Sequence, residues 1–277
     1  MQHSYDGLDR SGGISRVRSV APLRHRQFRL LWTGMCVSLL GDGAFLVAMA
    51  WQVYALSNAP TALALVGISM SVPTILLLLI GGVASDRFDR RRVMLAADLA
   101  RGLAVGTLAV LSITGAIELW HIVAIVAIYG GAQAFFDPAF DAIVPDVLPA
   151  EELAQANSLD QVVRPLALRL AGPTLGGVLI DLVGTGGAFA LDALSFAVSA
   201  GALLAMGALP RRAAVAAKRT VSSDLLQGFA YVRRHTWLWG SFAVAAISYL
   251  LFLGPAEVLL PYIVKEQLAG SGTDLGL

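Results

Sequence analysis

Charged residues are scarce in this sequence. Asp, Glu, Lys and Arg together make up 14% of the 277 residues, against about 25% in an average soluble domain. Hydrophobic residues make up 57%, and they occur in long stretches separated by short polar ones. This pattern is typical of a protein whose helices cross a lipid bilayer. The formal net charge is only +1, so overall charge gives no reason to expect nucleic acid as a partner.

Cysteine and the signatures of catalysis are almost absent. Cys36 is the one cysteine and lies in an apolar run, which excludes an intramolecular disulfide and makes a poor metal site. The four histidines lie in polar or interfacial positions and show no spacing typical of metal ligands. There is no nucleotide-binding loop, nucleophile elbow or zinc signature. We therefore predict that the protein is not an enzyme and uses no cofactor or metal.

Long apolar segments dominate the rest of the chain. The first 27 residues are polar and arginine-rich and lack the apolar core and cleavage site of a signal peptide. After them, seven segments are long and apolar enough to cross a bilayer, at about 20 residues each. The predicted spans lie near 28–55, 62–83, 93–115, 120–144, 158–180, 187–209 and 238–263.

Lysine and arginine lie almost entirely in one set of loops. The loops at 57–60, 115–119 and 181–187 contain neither residue, and Lys265 is the one exception on that side. Because cytoplasmic loops carry the excess of positive charge, we predict a cytoplasmic N-terminus and, after seven spans, a C-terminus outside. The cytoplasmic side is defined by the tail and by Arg87, Arg90, Arg91, Arg92, Arg211, Arg212, Lys218, Arg219, Arg233 and Arg234.

The segment 221–235 differs from the spans. Leu225, Phe229 and Val232 form a stripe at helical spacing, with two arginines following, which predicts a surface helix at the cytoplasmic interface. This helix separates six spans from a seventh. The predicted organisation is a basic tail (1–27), a six-span bundle (28–209), a cytoplasmic linker (210–236), a seventh span (237–264) and an outer end (265–277).

A tight polar turn joins spans 2 and 3. Residues 81–94 read GGVASDRFDRRRVM, in which Asp86 is followed by four arginines. Positive charge alone would hold this loop inside. Alternatively, Asp86 accepts hydrogen bonds from the arginines or from a helix N-terminus, which would give the turn a mechanical role.

This string resembles the cytoplasmic loop motif of the major facilitator superfamily, G-x-x-x-D-R-x-G-R-R. The motif residues here are Gly82, Asp86, Arg87, Arg90 and Arg91. Asp89 stands where the family usually has glycine. The resemblance implies a gate at the inner surface in which Asp141, near the cytoplasmic end of span 4, pairs with Arg90.

A second resemblance lies in span 5, where residues 171–180 read AGPTLGGVLI. Gly172, Pro173, Gly176 and Gly177 resemble the Gly-Pro motif of exporters in that superfamily, although Leu168 replaces its usual preceding glycine. Proline removes a helix hydrogen bond and the glycines allow another helix to approach closely. The motif therefore favours a bent, close-packed rocking interface, with ordinary small-residue packing as the alternative.

Residues 135–161 and 191–196 are similar to bacterial exporters that include enterobactin and macrolide efflux proteins. The resemblance implies the all-α major facilitator fold of twelve spans, in the bacterial inner membrane. It further implies ion-gradient-driven efflux of small amphiphilic molecules such as drugs or siderophores. This chain would hold the N-terminal six-helix bundle and one further helix, and transport would need the missing C-terminal half. A non-transporting membrane scaffold or sensor of the same ancestry is the alternative.

Ionisable residues inside spans are costly and usually face a cavity or a partner. Asp42 and Arg169 lie at similar depth, about 21 Å and about 17 Å from the cytoplasmic end at 1.5 Å per residue. We predict that they pair, either as a structural ion pair or as a substrate or proton site. Asp137 and Arg164 form a second depth-matched pair nearer the cytoplasm. Asp192 and Glu257 lie near the outer ends of their spans, where we expect them to be solvated. Many proton-coupled exporters carry an arginine in span 4, and the resemblance aligns that arginine with Val126 here.

Overall fold

The computed structural model describes residues 20–207, 230–264 and 268, and every regular element among them is helical. Most of the predicted surface helix over 221–235 lies outside these residues, as does most of the tail. The elements are α1 (Arg26–Leu56), α2 (Pro60–Arg87), α3 (Arg90–Ile113), α4 (Leu119–Val147), α5 (Leu153–Leu166), a π-helical turn (Ala167–Ala171), α6 (Gly172–Ala205), α7 (Thr236–Ser248), a second π-helical turn (Tyr249–Leu253) and α8 (Gly254–Tyr262).

Predicted spans 5 and 6 belong to one helical run, Ala150–Ala205, of 56 residues. At 1.5 Å per residue a straight run would extend about 84 Å, far beyond the roughly 30 Å of a bilayer core. Gly184 breaks the run with a φ of +76°, a conformation that favours glycine. Gly172 before the break and Asp192 after it both lie against α1, next to Gly43 and Gly41. The two arms of α6 therefore fold back on each other, and the predicted all-α membrane fold with seven apolar segments is confirmed.

Local sequence explains where several helices begin. The side chain of Asp89 accepts a hydrogen bond from the Arg92 backbone N–H at 3.1 Å and so caps α3. This is the position at which the superfamily motif usually has glycine, and the carboxylate has a cap function there. Glu118 and His121 cap α4 reciprocally, because the Glu118 N–H donates to His121 Nδ1 at 3.1 Å.

The core lies between α1, α3, α4 and α6. Phe28, Phe45, Tyr54 and Phe189 are among the largest fully buried side chains. By contrast α2 exposes much of its apolar surface, with Ile75 and Leu76 each 68% exposed. Exposed apolar surface of this kind is stable against lipid or against another helical bundle.

The arginine-rich ends meet at one end of the bundle. Arg26 at the start of α1 donates to the Ala205 carbonyl at 3.5 Å, and Arg91 at the start of α3 donates to the Leu204 carbonyl at 2.8 Å. At the opposite end the Tyr54 hydroxyl donates to the Val258 carbonyl of α8 at 2.8 Å. The predicted spans thus alternate in direction, with positive charge collected at one end.

Candidate functional site: a buried charged cluster

Three aspartates and one arginine are buried inside the bundle and together form what we call the buried charged cluster. Asp42 lies on α1, Asp98 and Arg101 on α3, and Asp192 on the second arm of α6. A charge at the bilayer centre costs about 2.5–3.5 kcal/mol even on the lenient insertion scale, so such residues are retained for pairing or function.

Arg101 is the centre of the cluster and only 1% exposed. Its guanidinium donates to Asp98 Oδ1 at 2.5 Å and to Gln133 Oε1 at 2.5 Å. Its Cζ atom also lies 4.3 Å from the Phe136 ring centroid and 4.5 Å from that of Phe196. Two aromatic faces and two acceptors replace the water that this cation has lost, and they join α3 to α4 and α6.

Hydrogen bonds extend the cluster on both sides of Arg101. Ser199 Oγ donates to Asp98 Oδ2 at 2.7 Å, which links α6 to α3. Gln133 Nε2 donates to Asp137 Oδ2 at 2.7 Å, so the amide connects Arg101 to a carboxylate one turn along α4. The network therefore runs through α3, α4 and α6 without a break.

Asp42 receives its hydrogen bond from a phenol. The Tyr129 hydroxyl of α4 donates to Asp42 Oδ1 at 2.5 Å. The Tyr129 ring stacks on Phe45, with centroids 5.0 Å apart, and meets the edge of Phe196 at 6.2 Å. Arg101 lies close enough to interact electrostatically with the Asp42 carboxylate. Asp42 is thus held at the interface of α1 and α4 by an aromatic shell.

Asp192 is fully buried and has few partners. Ser195 Oγ lies 3.2 Å from its Oδ1, but that hydroxyl also donates to the Asp192 backbone carbonyl at 2.8 Å. Oδ2 is buried and has no hydrogen-bond partner among residues 20–207 and 230–264. The carboxyl packs against Gly41 of α1, where a Cβ atom would collide with both Oδ1 and the Ser195 hydroxyl. Glycine at this position is what allows the acid to touch the α1 backbone.

The loop motif forms a lock at the arginine-rich end. Arg90 Nη1 contacts Asp146 Oδ2 and donates to the Ala142 carbonyl at 2.9 Å, so the start of α3 is fixed to the end of α4. The motif residues Asp86 and Arg87 are exposed, and a Cβ atom on Gly82 would meet nothing. The preceding Gly81 is the glycine in contact, because a Cβ there would collide with the Ala134 carbonyl of α4.

The Gly-Pro motif lies where the backbones of α1 and the first arm of α6 are in close contact. A Cβ atom on Gly172 would be 2.8 Å from Gly43 Cα, and one on Gly176 would be 2.7 Å from Ala44 Cα. Gly177 is buried as well. The π-helical turn Ala167–Ala171 ends two residues before Pro173, and the Gly172 N–H donates to the Ala167 carbonyl. This turn accommodates the proline inside a continuous helical run.

A cavity of about 240 Å³ lies between the ends of α1, α4 and α5, close to the Arg90 lock. Its walls are aromatic and acidic. Trp32 Nε1 and Asp160 Oδ1, both on lining residues, are buried and have no hydrogen-bond partner in the part of the chain that the structure describes. The cavity is lined by Phe28, Trp32, Phe140, Asp141, Val144, Pro145, Leu153, Ala156, Asn157 and Asp160.

Comparison with known proteins places this architecture in a family. The family model described as transmembrane secretion effector, of the major facilitator superfamily, matches residues 17–277. The chain belongs to this family. It is therefore a multi-pass membrane protein of a transporter family.

Individual relatives carry efflux names. The chain is 30% identical over 247 residues to the multidrug efflux pump Tap of Mycolicibacterium fortuitum, covering 85% of this chain and 59% of that protein. It is 22% identical over 257 residues to macrolide efflux protein A of Streptococcus pyogenes, covering 91% and 62%. An uncharacterized MFS-type transporter of Bacillus subtilis, YfiS, is 24% identical, with 83% and 55% covered. The chain thus spans 55% to 62% of the length of these relatives.

Both predicted pairs of acids and arginines in this major facilitator chain are wrong. Asp42 bonds to Tyr129, whereas the side chain of Arg169 is exposed. Ala167 is the buried residue of the π-helical turn. Arg169 follows two residues later and is therefore on a different side of the turn. Arg164 bonds to Asp160, four residues earlier on its own helix, at 3.3 Å, and so does not pair with Asp137.

The predicted contact between Arg90 and Asp141 is also wrong, because Arg90 bonds to Asp146. Five residues separate the two acids on α4, a rotation of about 140° at 3.6 residues per turn, so they face different neighbours. Asp141 instead lines the cavity beside Asp160. A lock between the loop and span 4 is present, with a different acid in it.

The expectation that Asp192 is solvated is wrong, since its side chain is fully buried beside α1. The Glu257 side chain lies outside the part of the chain that the structure describes, so the expectation that it is solvated stays a prediction. Sequence analysis also missed Asp98 and Arg101. An acid and an arginine three residues apart inside the apolar segment 93–115 were the available signal, under the same rule that singled out Asp42.

Proposed function

We propose that this chain is the N-terminal part of a secondary active exporter that expels small amphiphilic molecules, such as drugs or siderophores, from a bacterial cell. The family match over residues 17–277 carries the proposal, since two relatives that align with more than four-fifths of this chain are named efflux proteins. The chain spans about three-fifths of their length, and the proposed partner of this bundle is a C-terminal bundle.

The geometry supports a moving rather than a static membrane protein. Alternating access needs one bundle to rock against another around a midplane site. A scaffold gains little from a buried charged cluster at the bilayer centre, where each charge is costly. The Arg90–Asp146 lock can hold one state of the inner end, and the close contact between α1 and the first arm of α6 supplies a rigid body for rocking.

The cavity near the lock supports the substrate class. Aromatic side chains of Phe28, Trp32 and Phe140 favour flat apolar groups. The carboxyl group of Asp141 favours a positive charge, whereas that of Asp160 is already bonded to Arg164. A molecule with both features is an amphiphilic cation. We assign an ion gradient as the driving force and Asp42, on the mid-membrane part of α1, as a coupling residue.

The proposed orientation places the arginine-rich end in the cytoplasm of the bacterial inner membrane. Arg26 and Arg91 bond to the end of α6 at this same end of the bundle. An excess of positive charge marks cytoplasmic loops. The lock and the aromatic cavity then face the compartment from which substrates are taken.

Cellular accumulation tests the function. The complete reading frame that contains this chain is expressed in an efflux-deficient bacterium, and uptake of cationic dyes, macrolides and siderophores is measured with and without a protonophore. We expect lower accumulation of at least one amphiphilic compound, restored by the protonophore. Asp42→Asn is expected to weaken this dependence on the gradient while membrane insertion is retained.

Exposed Glu151 gives the matched control, because Glu151→Gln removes a charge at the surface and is expected to leave efflux unchanged. Unchanged accumulation of every compound in cells that insert the protein normally would favour the scaffold or sensor alternative. Efflux that survives the protonophore would exclude a proton gradient as the driving force.

A further inference from the structure

The buried charged cluster contains more negative than positive charge. Within the described part of the chain, Asp42, Asp98 and Asp192 face one buried cation, Arg101, so full ionisation would leave an excess of two negative charges (three minus one). An uncompensated charge in this environment costs several kcal/mol, and acids there are commonly neutralised by a proton. One of the three carboxyl groups is therefore expected to carry a proton.

The three acids differ in the hydrogen bonds that would stabilise their ionised forms. Asp98 accepts from Arg101 at 2.5 Å and from Ser199 at 2.7 Å. Asp42 accepts from Tyr129 at 2.5 Å. Donors of this kind favour the charged carboxylate.

Asp192 has the least support for a negative charge. Among the residues that the structure describes, the only donor to its carboxyl is Ser195, whose hydroxyl is shared with a backbone carbonyl, and Oδ2 is buried without a partner. The charged and titratable groups that face it are Asp42 on α1, Arg101 on α3 and Tyr129 on α4. Arg101 is already bonded to Asp98 and Gln133, and the carboxyl of Asp42 repels a second negative charge.

We propose that Asp192 is a proton-binding site, neutral in this conformation, and that it gives up its proton when α1 moves away from the second arm of α6. The contact with Gly41 ties protonation to helix position, because the α1 backbone covers the carboxyl and keeps water out. Movement of α1 would admit water, which stabilises the carboxylate. In transport, a role that rests on the proposed function, this proton is exchanged against substrate. The neighbouring Asp42 carboxyl takes part in the coupling because it acts electrostatically on Asp192.

Infrared spectroscopy tests the site on the chain itself, without any transport. Protein in lipid nanodiscs at neutral pH is compared with Asp192→Asn. We expect the wild-type-minus-variant spectrum to contain the C=O stretch of a protonated carboxylic acid, worth one group. A difference that contains the symmetric stretch of an ionised carboxylate instead would overturn the proposal.

If Asp192→Asn folds poorly, two further variants still assign the acid band to a residue. Ser195→Ala removes only the hydroxyl beside Oδ1 and is expected to shift the frequency of the acid band without removing it. Asp42→Asn is expected to retain the band, and its loss there would assign the proton to Asp42 and overturn the site. A complete protein that shows no efflux would refute the proposed function and leave the infrared result standing.

Discussion

The Tyr129 hydroxyl donates to Asp42 Oδ1 at 2.5 Å, and this bond connects the middle of α1 to α4 inside a shell of aromatic rings. We expect Tyr129→Phe to destabilise the protein by about 1–3 kcal/mol, because a buried carboxylate loses its donor. Thermal unfolding in detergent, followed by tryptophan fluorescence, measures the change.

Tyr231→Phe is the matched control for this variant, since Tyr231 is 57% exposed. It should unfold at the wild-type temperature. In the double variant Tyr129→Phe with Asp42→Asn, part of the lost stability should return, because no buried acid is then left without its donor. Equal unfolding temperatures for the wild type and Tyr129→Phe would show that the bond is unimportant for stability.

Arg101 is the cation on which the cluster depends. Arg101→Met removes the charge and keeps much of the volume, and we expect a loss of about 3–5 kcal/mol, the cost of breaking a buried pair by removing one partner. Adding Asp98→Asn should recover part of that loss, because it removes the carboxylate that the first change leaves unpaired. The measurement is chemical unfolding of both variants in parallel. If the double variant is less stable than Arg101→Met, the two residues do not act as a pair.

We expect the glycines of the Gly-Pro motif to matter for stability, and another glycine on the same helix provides the control variant. Gly176→Ala would place a Cβ atom 2.7 Å from Ala44 Cα, so α1 and α6 must move apart and we expect a loss of about 1–3 kcal/mol. Gly201→Ala lies on the second arm of α6, where an added Cβ meets nothing, and should be neutral or slightly stabilising. A lower unfolding temperature for Gly176→Ala than for Gly201→Ala would show that close packing at the motif requires glycine. Equal unfolding temperatures would contradict this.

The Arg90–Asp146 lock should control access to the inner end of the bundle. The side chains of Arg90 and Asp146 are 31% and 13% exposed, so we expect the pair to stabilise the closed state by about 1 kcal/mol or less. Its loss would then change the ratio of closed to open molecules by up to about fivefold. We expect Asp146→Asn to increase labelling of a cysteine placed at Val144, in a Cys36→Ser background. Asp141→Asn, which changes the acid that does not contact Arg90, should leave the labelling rate unchanged.

Orientation remains a prediction that labelling can test. With Asn58 replaced by cysteine in the same Cys36→Ser background, a membrane-impermeant maleimide should react from outside intact cells, because the loop at 57–60 carries no Lys or Arg. A cysteine at exposed Asp86 should react only after the membrane is opened. The reverse pattern would invert the topology and place the lock on the outer face.

The sequence by itself determined which segments cross the membrane and which family the chain resembles. Hydropathy is local, so a run such as 93–115 identifies a helical segment without any knowledge of its neighbours. The break at Gly184 and the Gly-Pro motif are likewise visible, since glycine and proline act through their own backbone geometry. Asp98 and Arg101 could have been found by the rule that singled out Asp42.

Only the tertiary structure decided which charges meet. Each residue rotates a helix by about 100°, so two acids near the same end of one helix, such as Asp141 and Asp146, face different neighbours. Depth matching paired Asp42 with Arg169, whereas the rotation of the π-helical turn directs Ala167 to α1 and leaves Arg169 exposed. The burial of Asp192 depends on Gly41, which lies 151 positions earlier in the chain. Partners across helices are set by rotation and packing, and neither is encoded in the hydropathy of a single span.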